Sequence, residues 1–355
     1  MLAGAELPHI TVLLQEAVDA LVTDPQGVYV DVTFGRGGHS EALLARLGPK
    51  GRLIALDRDP AAAKRAASLT DTRFSFVHTP FSQLGQALAT VGVDRVDGVL
   101  ADLGVSSPQI DEASRGFSFM RDGPLDMRMD PTKGCSAAEW LAQVDVSELE
   151  EVIRDYGDER HAGPIARAIV SRCEQAALGQ AEPLVRTGQL ADLVAQTLRR
   201  RRGADAGQHP ATRTFQAIRI RINQELDELD TLLEEVPDLI KPGGRLAVIS
   251  FHSLEDRRVK QALRPLQAQR VERPRGMGRG QWALLSSLTS STSAAHQARP
   301  LMRELHKVKP SEQELRANPR ARSAVLRVGE RLPVGAEPLA SAPEATGPTQ
   351  TKDHR

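Results

Sequence analysis

Residues 28–40 read VYVDVTFGRGGHS, and this stretch decides the fold. Its first part, 28–34, is rich in β-branched and aromatic side chains and predicts a strand. The glycine-rich GRGG follows, and SEALLARL at residues 40–47 has the apolar spacing of a helix. A strand, a glycine-rich loop and a helix in this order present backbone N–H groups at a helix N-terminus, where they can hold a nucleotide-bearing ligand.

Short apolar segments alternate with helical patterns beyond this loop. Such alternation predicts βαβ units, and therefore an α/β protein with a largely parallel sheet and helices on both faces. A turn, KPGG at 241–244, precedes the fifth strand. The predicted strands are 28–34, 52–57, 73–78, 96–103, 245–251 and 323–330, and the predicted helices of this sheet are 40–47, 60–69, 82–91 and 213–236.

The segment 105–212 interrupts the sheet between its fourth and fifth strands. It begins with about thirty Gly-, Pro- and Asp-rich residues, a length that is typical of a functional loop, and then becomes helical. We expect residues 1–104 and 213–330 to form a cofactor-binding domain and residues 105–212 to form a loop and an inserted all-helical domain. Residues 331–355 are rich in Pro, Ala and Thr, and we expect them to be disordered.

The nature of the cofactor depends on acidic residues around the loop. Asp57 ends the second predicted strand, 22 positions after Gly35, where a carboxylate can accept hydrogen bonds from both hydroxyls of a ribose. This suits NAD and S-adenosylmethionine equally. Ser40 stands where the dinucleotide fingerprint G-x-G-x-x-G has its third glycine, which disfavours NAD. Asp31 also disfavours NAD, because its charge repels a pyrophosphate and attracts a sulfonium or an ammonium group.

The composition limits the class of partner. The chain has 46 basic and 46 acidic residues, so a nucleic-acid surface must be local, and only 3% of its residues are aromatic. Cys135 and Cys173 lie 38 positions apart and predict neither a disulfide framework nor a zinc site, so we expect no metal. The sequence shows no apolar signal segment and no membrane span, and we expect a cytoplasmic protein without a membrane partner.

Six motifs place these features in a family. They are TFGRGGHS with ALDRDP, ADLGVSSPQIDEASRGFSFMRDGPLDMRMDP, HPATRTFQAIRIRIN, ISFHSLEDRRVK and NPRARSAVLRV. In this order, from about His9 to about Val328, they closely resemble the RsmH (MraW) family of bacterial rRNA methyltransferases. The resemblance implies a Rossmann-like class I methyltransferase fold with an inserted helical domain. It also implies transfer of a methyl group from S-adenosylmethionine to the exocyclic N(4) of one cytosine in the decoding centre, at the P site, of 16S ribosomal RNA.

The resemblance also assigns site residues. The family's cofactor contacts fall on Gly37, Gly38, His39, Asp57, Phe81, Asp102 and Gln109. The backbone of the first three would surround the methionine portion, Asp57 would bind the ribose, and Phe81 would lie against the adenine.

Asp102 is the candidate catalytic residue, because it ends the fourth predicted strand at the edge of the sheet where ligands bind. It would orient either the cytosine amine or the cofactor, and the sequence leaves both roles open. His252, after the fifth strand, is a candidate substrate contact.

Three basic segments, 198–203, 255–280 and 318–323, predict local RNA binding between the inserted domain and the sheet. The expected partner is 16S rRNA, within the small ribosomal subunit. Two other interpretations remain open at this point: a nicotinamide-dependent dehydrogenase, and a non-catalytic RNA-binding protein that has kept the cofactor fold.

Overall fold

The computed structural model describes residues 11–199, 209–263 and 302–333. The strands in this described part are β1 (Val28–Asp31), β2 (Arg52–Asp57), β3 (Phe74–His78), β4 (Val96–Asp102), β5 (Ile240–Ser250), β6 (Met302–Val308) and β7 (Val325–Arg331). They form one seven-stranded sheet in the order β3-β2-β1-β4-β5-β7-β6. The strands from β3 to β5 are parallel, and β7 runs antiparallel to both β5 and β6.

The strand order reverses at β1, which has β2 on one side and β4 on the other. In open α/β sheets this switch point opens a crevice beyond the carboxyl ends of the strands, where ligands bind. Asp31, Asp57 and Asp102 are the last residues of β1, β2 and β4, so this edge of the sheet is acidic. The predicted fold, a Rossmann-like class I methyltransferase sheet, is confirmed.

Helices cover both faces of the sheet. Val30 of β1 lies in an apolar cluster on one face and its neighbour Tyr29 in a cluster on the other, because successive side chains of a strand point to opposite sides. The described helices are α1 (Leu14–Leu21), α2 (Gly38–Arg46), α3 (Pro60–Ala66), α4 (Leu84–Thr90), α5 (Ser107–Asp111), α6 (Ala137–Leu141), α7 (Val146–Gly157), α8 (Ala162–Ala177), α9 (Thr187–Leu198), α10 (Thr212–Asn223), α11 (Glu225–Leu239), α12 (Ser253–Ala262) and α13 (Glu312–Ala317).

A separate apolar core holds the inserted helices together. It joins Ile153 of α7, Ile169 of α8, Leu190 of α9 and Ile218 of α10. Helix α10 therefore packs with the insertion, whereas α11 packs under the sheet. We call residues 105–223 the inserted lobe.

The single helix predicted at 213–236 is wrong, because the chain breaks there into α10 and α11. Gln224, between them, has a left-handed backbone with a φ of 53°. The break lets the two helices bury their apolar faces in different cores. We therefore propose a domain boundary at Gln224 in place of 212/213.

Other differences from the predicted elements are local. Helix α1 and strand β6 were not predicted. Strand β1 ends at Asp31, although the N–H groups of Val32 and Phe34 still donate to neighbouring strand carbonyls at 2.9 Å. The KPGG turn lies within the irregular start of β5, where Gly243 has a φ of 81°.

The predicted disorder of 331–355 is wrong at its first residue, because Arg331 ends β7 and is buried. The rest of that prediction from 334 onward, and most of the basic segments 198–203 and 255–280, lie outside the described residues. In the part that is described, no helix is long and apolar enough to cross a lipid bilayer.

Candidate active site

A cavity of about 390 Å³ lies at the acidic edge of the sheet. The predicted site residues that line it are Gly38, His39, Asp57, Phe81, Asp102 and Gln109. Gly37 does not line it. Its N–H donates to the carbonyl of Phe34 at 2.8 Å and closes the turn, and a Cβ there would lie 2.9 Å from the Phe34 ring. The structure thus brings six of the seven predicted residues to one cavity, and gives Gly37 a role in the shape of the loop.

Close packing fixes the glycine-rich loop. A Cβ on Gly38 would lie 2.1 Å from Oγ1 of Thr11, so only glycine fits beneath that segment. His39 follows at the start of α2 and is buried, with its Nδ1 3.6 Å from Oδ2 of Asp102. This contact joins the loop after β1 to the end of β4.

Asp31 lies beneath the loop and does not line the cavity. Its Oδ2 accepts a hydrogen bond of 2.7 Å from the hydroxyl of Ser40, and its Oδ1 accepts one of 3.1 Å from the N–H of Thr33. Burial raises the pKa of Asp31 to about 6, against the opposing effect of these hydrogen bonds. Because Asp31 does not line the cavity, it can influence a bound ligand only through the electrostatic potential of its carboxylate.

Two backbone N–H groups hold the carboxylate of Asp57. Gly35 donates to Oδ2 at 2.7 Å, and Asp59 donates to Oδ1 at 2.8 Å. Burial raises the pKa of Asp57, and the same backbone donors oppose the rise. Each carboxylate oxygen can accept a further hydrogen bond, so Asp57 is oriented and can still receive two hydroxyl groups from a ribose.

Gln109 supports the site as well as lining it. Its Oε1 accepts from the N–H of Ser106 at 2.8 Å, and its Nε2 donates to Oδ2 of Asp59 at 2.8 Å. Sequence reasoning missed Asp59, which is buried and also pairs with Arg115 at 2.9 Å. The pattern Ser-x-x-Gln at 106–109, a helix-capping signature, was the available signal for the first of these bonds.

Asp102 is held at its backbone and has spare acceptor capacity at its side chain. Its N–H donates to Oγ1 of Thr33 at 2.6 Å. The side chain is 25% exposed, while its Oδ1 is enclosed and has no hydrogen-bond partner among the described residues. Burial, followed by the charges of Asp31 and Glu255, raises the pKa of Asp102 well above its ordinary value. A bound cation would offset these effects and favour the carboxylate.

The structure does not bring His252 to the cavity. Its ring lies 3.1 Å from Oε1 of Glu255, which does line the cavity. Burial raises the pKa of Glu255, but the hydrogen bond and charge of His252 outweigh it, so that the pKa lies below its ordinary value. The structure therefore does not support the expected substrate contact of His252, whose ring contacts Glu255 instead.

Two exposed arginines stand among the residues that line the cavity, Arg36 in the glycine-rich loop and Arg320 from the predicted basic segment 318–323. Arg320 donates to Asp111 at 2.6 Å and to the hydroxyl of Ser107 at 2.7 Å, which ties the C-terminal segment to the inserted lobe. These two arginines place positive charge at the exposed border of the acidic cavity.

Comparison with known proteins decides the family. A sequence profile described as the MraW methylase family matches residues 6–332. The chain belongs to the MraW methylase family. This rules out a nicotinamide-dependent dehydrogenase. A relative from Ralstonia pickettii, named ribosomal RNA small subunit methyltransferase H, is 53% identical over 326 residues, which cover 92% of this chain and 97% of the relative.

Relatives of the same name from Burkholderia mallei are 55% identical over 331 residues, which cover 93% of this chain and 99% of theirs. Among solved structures, an rRNA methylase from Streptococcus thermophilus is similar with a TM-score of 0.32 and 11% identity, covering 89% of this chain and 92% of that one.

S-adenosylmethionine is the cofactor of this MraW methylase. The residues fit its parts. Asp57 presents two oriented acceptors for the ribose hydroxyls. The carboxylates of Asp31 and Asp57 would set a negative potential that favours the sulfonium and ammonium charges. The half-buried ring of Phe81 offers an apolar face for the adenine.

Proposed function

We propose that this methylase transfers a methyl group to the exocyclic N(4) of one cytosine in the decoding centre of 16S ribosomal RNA. Its relatives, at 53% and 55% identity over nearly their full lengths, are named as methyltransferases of the small-subunit rRNA. The base and the atom within that RNA are our inference from the chemistry of the cavity and from the motifs that the chain shares with its family.

The observation that carries the proposal is the state of Asp102. It ends β4 in the cavity, is partly exposed, and keeps an enclosed Oδ1 without a hydrogen-bond partner among the described residues. The side chain as a whole is 25% exposed and lines the cavity, so an amine of the substrate can donate a hydrogen bond to the part of the carboxyl group that the cavity reaches. Cytosine carries such an amine at N(4).

The amine is a poor nucleophile, because its lone pair is delocalised into the ring. S-adenosylmethionine supplies an activated methyl group on a sulfonium, which reacts by in-line displacement. The protein must then align the amine with that methyl group, and alignment can supply much of the rate. By accepting a hydrogen bond from the amine, Asp102 would favour the pyramidal nitrogen of the transition state and stabilise the positive charge that develops on it.

The other residues of the cavity fix this geometry. Thr33 accepts from the backbone N–H of Asp102, and His39 lies against its Oδ2. After transfer, the methylated nitrogen carries an acidic proton. Either the Asp102 carboxylate or water can accept this proton. Asp102 thus binds the cytosine amine, whereas Asp57 binds the ribose of the cofactor.

The target base must enter the cavity from its RNA strand. A paired or stacked base has to leave the stack, as in other enzymes that modify bases. Arg36 and Arg320, at the exposed border, are placed to contact phosphates beside that base. We propose the assembled small subunit, in the cytoplasm, as the substrate.

A methyl-transfer assay tests the proposal. The purified protein is incubated with radiolabelled S-adenosylmethionine and small ribosomal subunits from a strain that lacks the gene. Free 16S rRNA and large subunits are parallel acceptors. We expect about one methyl group per small subunit and none on large subunits. Tight binding to small subunits without any methyl transfer would instead support the non-catalytic RNA-binding alternative.

A further inference from the structure

Three consecutive residues at the end of β2, Asp57, Arg58 and Asp59, line the cavity, and each makes a different set of contacts. Asp57 is the proposed ribose acceptor. Asp59 contacts the first part of the inserted lobe, and Arg58 contacts its last residue, Asn223. The tripeptide thus touches the cofactor site and both ends of the lobe.

Asp59 is 5% exposed and holds the beginning of the lobe. Its Oδ2 accepts from Nε2 of Gln109 at 2.8 Å and from Nη1 of Arg115 at 2.9 Å. Arg115 donates through Nη2 to the carbonyls of Met129, at 2.9 Å, and Arg128, at 3.2 Å. One carboxylate therefore fixes α5 and the segment around residue 128.

Arg58 holds the end of the lobe. Its Nη1 donates to the carbonyl of Asn223 at 2.8 Å and to Oε1 of Glu228 at 3.2 Å. The side chain of Asn223 is buried, accepts from the N–H of Met129 at 2.7 Å and donates to the carbonyl of Met127 at 2.7 Å. The bonds from Asp59 and from Arg58 thus meet on the same segment, 127–129, and form a closed path.

We propose that Arg58 and Asp59 are positioning residues through which the cofactor on Asp57 and the RNA on the inserted lobe strengthen each other's binding. The N–H of Asp59 donates to Oδ1 of Asp57, so a ribose held by Asp57 fixes the tripeptide. The tripeptide in turn fixes both ends of the lobe. Thermodynamic linkage makes the effect reciprocal, so bound RNA raises the affinity for the cofactor by the same factor. The inference rests on the proposed function, because it assumes that the lobe contacts RNA.

The test measures the dissociation constant of unmethylated small subunits with and without saturating S-adenosylhomocysteine, which occupies the site without reacting. In the wild type we expect S-adenosylhomocysteine to lower the dissociation constant of small subunits by about fivefold or more. The quantity compared between variants is the ratio of the two dissociation constants, without and with S-adenosylhomocysteine. Arg58→Gln removes the bond to Asn223, and Asp59→Asn removes the charge that holds Arg115. In both variants we expect the ratio to fall to within about twofold of unity, while each ligand alone still binds. Arg58→Lys, which keeps a donor, should restore part of the ratio.

Arg73→Gln is a matched control. Arg73 is 25% exposed, against 26% for Arg58, and it likewise donates to a backbone carbonyl, that of Leu47 at 2.6 Å, and to a carboxylate, that of Asp71. Its hydrogen bonds do not reach the inserted lobe, so this variant should keep the wild-type ratio.

Two results would overturn the inference: a wild-type ratio of one, or Arg58→Gln and Asp59→Asn variants that keep the wild-type ratio. Failure of the proposed function has a different signature. The wild-type protein would then bind S-adenosylhomocysteine but would neither bind nor methylate small subunits.

Discussion

The hydroxyl of Ser40 donates a hydrogen bond of 2.7 Å to Oδ2 of Asp31, and both residues are completely enclosed beneath the glycine-rich loop. A glycine at position 40, as in the dinucleotide fingerprint, would leave that carboxylate oxygen without this donor. The pair therefore keeps a buried negative charge at the end of β1. Such a charge suits a cationic cofactor and opposes a pyrophosphate.

Asp31 makes the stability of the protein depend on pH in a defined direction. Burial raises its pKa from 3.8, the ordinary value of an aspartate, to about 6 in the folded protein, so the folded state binds the proton more tightly than the unfolded chain. Stability from this group is present below about pH 4 and is lost as the pH rises through about 6, by about 3 kcal/mol in total. Asp31→Asn removes the titration. Chemical denaturation from about pH 4 to 7 should show the variant gaining about 2 kcal/mol relative to the wild type, because the unfolded chain is already partly ionised at pH 4.

An exposed carboxylate provides the control for this comparison. Asp19 lies on α1 and pairs with Arg46 on the surface. Asp19→Asn, measured over the same range, shows what the removal of a surface carboxylate alone does. A difference between Asp31→Asn and the wild type that stays constant with pH would contradict the assigned titration.

We expect cofactor binding to depend on Asp57, the proposed ribose acceptor. Asp57→Ala removes both acceptors for the ribose hydroxyls, and calorimetric titration should show S-adenosylmethionine binding weakened by about 1 to 3 kcal/mol. Asp97→Ala is the control, because Asp97 also accepts from a backbone N–H, that of Val28 at 2.7 Å, but lies at the opposite edge of the sheet. Unchanged affinity in Asp57→Ala would remove Asp57 from the cofactor site.

Salt dependence tests the RNA contact of Arg36. If this exposed arginine neutralises one phosphate, Arg36→Gln should reduce the slope of log affinity against log salt by about 0.7 to 0.9. Binding to small subunits is measured at several salt concentrations. Arg316→Gln, on the exposed surface of α13, should leave the slope as it is. Equal slopes for Arg36→Gln and the wild type would place Arg36 away from the RNA.

The central parallel strands β1, β2 and β4 could be predicted from sequence because most of their residues are buried on both faces of the sheet. Strand β2, for example, coincides with the predicted range 52–57. Strand β6 was missed because it is an edge strand, paired only with β7, and its sequence MRELHKV carries polar side chains that face solvent. The break at Gln224 was missed because the apolar spacing continues across it, and only tertiary packing separates the two cores.

Site residues at strand ends could be predicted from the sequence, whereas contacts between residues far apart in the sequence could not. Asp57 and Asp102 end neighbouring strands, so the topology alone brings them to one edge. The bond between Arg58 and Asn223 joins residues 165 positions apart, and no local pattern indicates it. Gln109 was predicted as a cofactor contact, and its bonds to Ser106 and Asp59 became visible only in the structure.

Asp102 is the proposed catalytic residue. Asp102→Asn keeps the size of the side chain but replaces a charged acceptor with a neutral amide. We expect kcat for methyl transfer to fall by about 10²-fold, with little change in the affinity for S-adenosylmethionine, because the lost interaction forms with the amine in the transition state. A variant with weaker cofactor binding and unchanged kcat would assign Asp102 to the cofactor instead.

The identity of the methylated atom tests the central claim most directly. Small subunits from a strain that lacks the gene are methylated by the purified protein, their 16S rRNA is digested to nucleosides, and the products are identified by mass spectrometry against synthetic standards. We predict a single new product, N(4)-methylcytidine, which forms about 10²-fold more slowly with Asp102→Asn. A methyl group on a ring carbon, on a ribose hydroxyl or on another base would contradict the account.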